Sequence, residues 1–142
     1  MKPQLLKTLF LLVVLVSVNA HAHDADGGLP LPASASSLWY VTCSDDGDGG
    51  VPNNLEVSVV NNTKSGPMVS LQIITTDTNR KFFNIADPVG GDNQASNQIS
   101  TGSGGDHYVL INKASSGTVS YHFTYHCMGP YGHTGTEIQQ IQ

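Results

Sequence analysis

Residues 118–127 read Thr-Val-Ser-Tyr-His-Phe-Thr-Tyr-His-Cys. Tyr121, Phe123 and Tyr125 alternate with His122 and His126, a period of two. Only a strand puts successive side chains on opposite faces, so the stretch predicts a long strand with an aromatic face and a polar one. The same period recurs upstream. In Leu38–Cys43, Trp39, Val41 and Cys43 share one face, with Tyr40 and Thr42 on the other. Leu55, Val57 and Val59 point one way, as do Val69, Leu71 and Ile73 within Met68–Thr75. His107–Asn112 adds another strand, Lys81–Ile85 and Ser96–Ser100 shorter ones, and Glu137–Ile141 an edge strand.

Gly, Pro, Asn, Asp and Ser cluster between these segments, at 47–50, 61–67, 88–91, 102–105 and 115–117. Those residue types are the ones that tolerate turn geometry. Seven or eight short strands with such punctuation, and no sustained helical period, predict one all-β domain over 38–142, an antiparallel sandwich or jelly roll.

The first 22 residues read as a secretory signal. Lys2 and Lys7 precede the apolar run Leu9–Val16, and Val18-Asn19-Ala20 and Ala20-His21-Ala22 both offer small residues for cleavage, after Ala20 or after Ala22. The run is far shorter than the roughly 20 residues a membrane-spanning helix needs. Secretion or periplasmic residence follows, and with it an oxidising environment in which Cys43 and Cys127 are expected to form one disulfide. Residues 23–37, rich in Gly, Pro, Ala and Ser, read as a flexible leader. Such a leader could lend itself as a strand to a neighbour, but Pro30 and Pro32 argue against it, because proline cannot donate to a ladder.

Beyond residue 22, Lys64, Arg80, Lys81 and Lys113 stand against eleven carboxylates, a net charge of −7 from 4 and 11. An acidic chain repels phosphate backbones, which excludes nucleic acid as the expected partner.

The segment Gly105-Asp106-His107-Tyr108-Val109-Leu110-Ile111-Asn112, with Gly117 and Tyr121-His122-Phe123-Thr124-Tyr125, resembles the closing hairpin of bacterial pre-peptidase C-terminal domains. Those are small secreted β-sandwiches, often appended to exported enzymes. The resemblance implies a sandwich fold and a binding role.

Two stretches carry metal-ligand chemistry. Ser44-Asp45-Asp46-Gly47-Asp48-Gly49-Gly50-Val51-Pro52-Asn53-Asn54-Leu55-Glu56 looks like the calcium loops of thrombospondin type 3 repeats. Calcium takes six to eight hard oxygens, for which Asp45, Asp46, Asp48 and Glu56 are the candidates. Ser44 stands where that pattern has its first Asp, Gly50 is an extra residue that puts Glu56 out of step, and Asn53 replaces an acid. A solvated turn accounts for the same residues.

The second stretch holds His21 and His23. Cleavage after Ala20 would expose His21-Ala22-His23, whose amine, amides and third-position imidazole make a square-planar copper chelate. Cleavage after Ala22 would expose His23, whose amine and imidazole bind copper together with a second histidine. That arrangement is similar to the copper sites of lytic polysaccharide monooxygenases and periplasmic copper carriers, also β-sandwiches. In those families the first histidine opens a core element, whereas here a leader is expected to follow it.

His122 and His126, four residues apart on one regular strand, are separated by roughly 13 Å and do not share a metal. Each is expected on the outward face, free to pair with a histidine from elsewhere such as His107 or His133. The loop Met128-Gly129-Pro130-Tyr131-Gly132-His133-Thr134-Gly135 offers Tyr131 and His133 as candidate ligand-binding residues, or serves as a connector. No Gly-x-Ser-x-Gly elbow and no phosphate-cradling loop occurs. The chain reads as a non-enzymatic exported module that binds a protein or glycan at the cell surface or assembles with itself. The alternative is a metal-binding protein taking copper or calcium.

Overall fold

A computed structural model describes residues 23–142. The signal segment 1–22, both cleavage sites and His21 lie outside the described residues. Ten strands are described: β1 (His23–Leu29), β2 (Ser36–Ser44), β3 (Asn54–Asn61), β4 (Val69–Thr75), β5 (Phe82–Asp87), β6 (Ile99–Ser100), β7 (Asp106–Lys113), β8 (Val119–Gly129), β9 (Gly132–His133) and β10 (Gly135–Gln140). One sheet runs β1-β8-β3-β6, with β9 also paired to β8; the other runs β10-β2-β7-β4-β5. Every pairing is antiparallel. Among the described residues no helix is long and apolar enough to cross a membrane.

The core lies between the sheets and comes from the faces that the alternation marks. Tyr121, Phe123 and Cys127 of β8 and Leu55, Val57 and Val59 of β3 face Trp39 and Val41 of β2, Leu71 and Ile73 of β4, and Val109 and Ile111 of β7; all are buried. The Trp39 and Phe123 rings meet across the gap at 5.3 Å between centroids. Cys43 of β2 is bonded to Cys127 of β8, a staple from one sheet to the other with Cα atoms 5.4 Å apart.

The leader expectation is corrected over its first half. His23–Leu29 is an edge strand in full register with Tyr125–Val119. Its sequence, His-Asp-Ala-Asp-Gly-Gly-Leu, lacks the β-branched and aromatic residues that announce strands, so pairing with β8 and burial of Leu29 override local propensity. Gly27 is there for a physical reason. A Cβ at that position would lie 2.2 Å from the Tyr121 ring and hydroxyl, so the aromatic side chain crosses the strand where only glycine leaves room. The strand stops at Leu29, just before Pro30, as the missing N–H requires. The sandwich therefore begins at His23 rather than near Leu38 among the described residues. Strand β9, too short for any periodicity, is the other addition to the expected set.

Lysine 113 is buried at the far end of β7 and donates through Nζ to the carbonyls of Pro30 and Gly117. It ties the β1–β2 connection to the β7–β8 turn.

Candidate functional site

The outer face of the second sheet carries an open groove. Tyr40 of β2 lies directly opposite Tyr108 of β7, and their rings sit 5.0 Å apart, tilted by 56°. The Tyr40 hydroxyl donates to Asp106 Oδ2 at 2.5 Å. That carboxylate, with burial as a lesser cause, pushes the Tyr40 phenol up to about 12. The phenol therefore stays protonated at physiological pH and serves as a fixed donor, not as a base. The two rings form one wall of an open groove of about 510 Å³, completed by Ile74, Thr75, Thr76, Arg80 and Asp106. A second hollow of about 170 Å³ lies on the other side of Tyr40, bordered by Thr42 and by Glu137, Ile138 and Gln139 of β10. The mix is amphipathic: two aromatic rings and Ile74, with a guanidinium, carboxylates and hydroxyls beside them.

Behind the groove, a buried polar network fixes the loops at this end. Ser103 Oγ donates to Asp77 Oδ2 at 2.6 Å, Thr75 Oγ1 donates to Asp77 Oδ1 at 3.0 Å, and Thr75 Oγ1 accepts from the Lys81 N–H at 2.9 Å. The Ser103 hydroxyl, ahead of Thr75, holds the Asp77 carboxyl below its usual range despite some burial. His107 points inward from β7 and is fully buried, with neither ring nitrogen hydrogen-bonded. Burial pushes its imidazole below the ordinary value; the carbonyls of Gly105 and Ser103 act the other way without reaching hydrogen-bond geometry. Ser103 gives its proton to a carboxylate rather than to an imidazole, which is not the arrangement that activates a nucleophile.

The residues singled out from the sequence fall elsewhere. In the acidic loop, Asp45 Oδ1 accepts from Gly47 N–H at 2.9 Å, and Asp46 Oδ1 accepts from Asp48 and Gly49 N–H at 3.1 and 3.3 Å. Those amides hold the Asp46 carboxyl below its usual range. The loop packs so tightly on the next turn that a Cβ at Gly49 would meet the His133 carbonyl at 2.0 Å. Glu56 does not join Asp45, Asp46 and Asp48: it lies on β3, accepting from Asn54 Nδ2 at 3.3 Å and Gln98 Nε2 at 2.9 Å. Among the described residues no three His, Cys, Asp or Glu side chains converge as a metal-binding group.

His122 and His126 both lie on the outer face of the first sheet, alternating with the buried Tyr121, Phe123 and Tyr125. His122 is bracketed by β1, with Asp26 Oδ1 3.0 Å from Nδ1 and Asp24 Oδ2 3.8 Å from Nε2. His126 meets His133 of β9 edge to face at 4.8 Å, so of the two partners considered His133 is brought to it while His107 sits in the core. His23 stacks on Tyr125 at 5.9 Å. Tyr131, at the β8–β9 turn, is 84% exposed and away from the Tyr40 groove, on the other sheet.

Sequence reasoning missed the groove. Tyr40 and Asp106 are 66 positions apart and meet only through the register of β2 on β7. The one signal was Tyr40 at an outward position of a strand whose other face is apolar.

No family model and no curated protein matches the chain. The likeness of residues 105–125 to pre-peptidase C-terminal domains thus has no family match behind it. Among solved structures the chain is similar to the mitogen derived from Yersinia pseudotuberculosis, at 11% identity over 77% of this chain and 88% of that one, with a TM-score of 0.43.

Proposed function

We propose that the protein is a non-enzymatic binding module that takes a glycan on the outer face of its second sheet, at the groove beside Tyr40 and Tyr108. The observation that carries this is the tyrosine pair, 5.0 Å apart, with Asp106 fixed on the Tyr40 hydroxyl. A sugar ring has an apolar face of C–H groups and a rim of hydroxyls. Tyrosine offers a flat apolar body with a polar tip, and the groove adds Asp106, Arg80 and Thr76 as hydrogen-bonding groups. Its volume of about 510 Å³ falls in the range of small-ligand sites. The cross-sheet disulfide supports a place outside the reducing cytoplasm, where surface glycans are met.

The test is a panel of soluble oligosaccharides titrated into the oxidised protein and into Tyr108→Ala. At least one oligosaccharide is expected to bind the native chain and to lose on the order of tenfold in affinity with the variant, about 1.4 kcal/mol. Binding that is indifferent to Tyr108→Ala but lost with Tyr131→Ala would move the site to the β8–β9 turn. A panel without a binder would reject the glycan and turn the search to protein partners.

A further inference from the structure

We propose, resting on the glycan reading of the Tyr40 groove, that the ligand is an uncharged β-1,4-linked sugar chain. It lies across the strands of the second sheet, from Tyr40 to Phe82.

The register draws the track. Tyr40 of β2 stands opposite Tyr108 of β7, Tyr108 opposite Ile74 of β4, and Ile74 opposite Phe82 of β5. Directly opposed residues share a face of the sheet, so these four form one line across the strands. The face is the outer one, because Trp39, Val109 and Ile73, each next to a member of the line, point into the core. With neighbouring strands about 4.8 Å apart, the line runs roughly 14 Å from Tyr40 to Phe82. The groove takes in its first three members. Phe82 stands beyond them on β5, at the edge of the sheet, and is 73% exposed. The fold packs the neighbouring Phe83, not Phe82, against the core.

Polar groups run alongside the line. On one side Thr42 stands opposite Asp106, whose carbonyl accepts from the Thr76 hydroxyl. On the other side, toward the Phe82 end, Gln72 stands opposite Asn84. A chain of sugar rings is a ribbon with apolar faces and hydroxyl edges. Laid along this line, its faces meet the aromatic rings and its edges meet the polar groups.

Shape and charge select the kind of chain. β-1,4 links between pyranoses give a flat, extended ribbon in which each ring advances by about one strand spacing. α-1,4 links coil the chain away from a straight line. The groove sets Arg80 beside Asp106, a mixture of signs rather than a cationic cluster. The net charge of −7 beyond residue 22, from 4 cations and 11 carboxylates, repels an acidic polysaccharide.

The test is calorimetric titration of cello- and chito-oligosaccharides of increasing length into the oxidised protein, Tyr108→Ala and Phe82→Ala. Affinity for the native chain is expected to climb with each unit up to the tetrasaccharide in at least one series. Phe82→Ala should weaken tetrasaccharide binding on the order of tenfold and leave the disaccharide unchanged, whereas Tyr108→Ala should weaken both. Equal native affinity for di- and tetrasaccharide, or a Phe82→Ala that binds the tetrasaccharide as the native chain does, would overturn the path across the sheet and leave the groove as a site for a short glycan. Equal affinity for malto-oligosaccharides would overturn the linkage. Binding of some other glycan at Tyr108, with neither β-1,4 series bound, would overturn this inference alone, while a protein that binds no sugar at all would overturn it together with the glycan reading.

Discussion

The indole N–H of Trp39 donates to the hydroxyl of Tyr121 at 3.2 Å, a buried bond that joins the two sheets across 82 positions of sequence. It also fixes the ring that lies over Gly27. One contact thus sets the separation of the sheets and the residue that β1 must carry. Tyr121→Phe would leave the Trp39 N–H buried without a partner, a loss of about 1–3 kcal/mol. Gly27→Ala would force the held ring aside, an overpacking cost of about 1–3 kcal/mol. Urea unfolding midpoints measure both, and an unchanged midpoint for Gly27→Ala would show that the ring is free to move.

The Cys43–Cys127 bond spans 84 residues. A closed loop of that length removes roughly 4–5 kcal/mol of unfolded-chain entropy in the chain-entropy model. The double variant Cys43→Ala/Cys127→Ala should lose most of that in denaturant titration. A loss below about 1 kcal/mol would mean that the packed aromatics alone hold the sheets together.

Acid should weaken the fold well above the carboxylate range. His107 and His126 have folded pKa values below their ordinary one, because burial disfavours the charged ring. The unfolded chain then binds more protons, so stability is full above about 6.5 and falls as pH drops from there toward the folded values. Asp46 and Asp77, held low by their hydrogen bonds, add a second loss as pH falls below their unfolded value of 3.8. Melting temperatures taken from pH 8 to pH 3 should show both phases, and His107→Leu should flatten the first. A flat profile down to pH 4.5 would contradict the histidine account.

Lys113→Met keeps the length of the side chain and removes the ammonium from the carbonyls of Pro30 and Gly117. Leaving such groups unmatched costs about 1–3 kcal/mol. Hydrogen exchange should quicken first in β1, which this lysine anchors from behind. Uniform exchange across both sheets would show that Lys113 does not tether that strand.

Legibility in the sequence followed the length and contrast of each strand. Strands β2, β3, β4, β7 and β8 bury one face against the opposite sheet, and that burial writes a period of two into residues such as Leu55, Val57 and Val59. The disulfide was legible from the signal-like first 22 residues and the single pair of cysteines, and Cys43 and Cys127 fall on the inward beat of their strands. β1 was hidden because its residues meet the needs of a neighbour, a glycine under Tyr121 and two aspartates around His122, rather than its own propensity. In the acidic loop Asp45 and Asp46 cap amides of their own loop, the use that turn residues share with a calcium loop in sequence. The groove was illegible because its parts come from β2, β4, β7 and the loop carrying Arg80, and only the order β2-β7-β4 brings them together.

The most direct test of the binding-module reading is to follow backbone amide shifts of the oxidised protein by NMR while an oligosaccharide from the panel is added. Shifts are predicted to cluster at Tyr40, Thr76, Arg80, Asp106 and Tyr108, on the outer face of the second sheet. Shifts gathered instead at Tyr131 and His133, or spread along the first sheet, would contradict the assignment of the groove as the binding site.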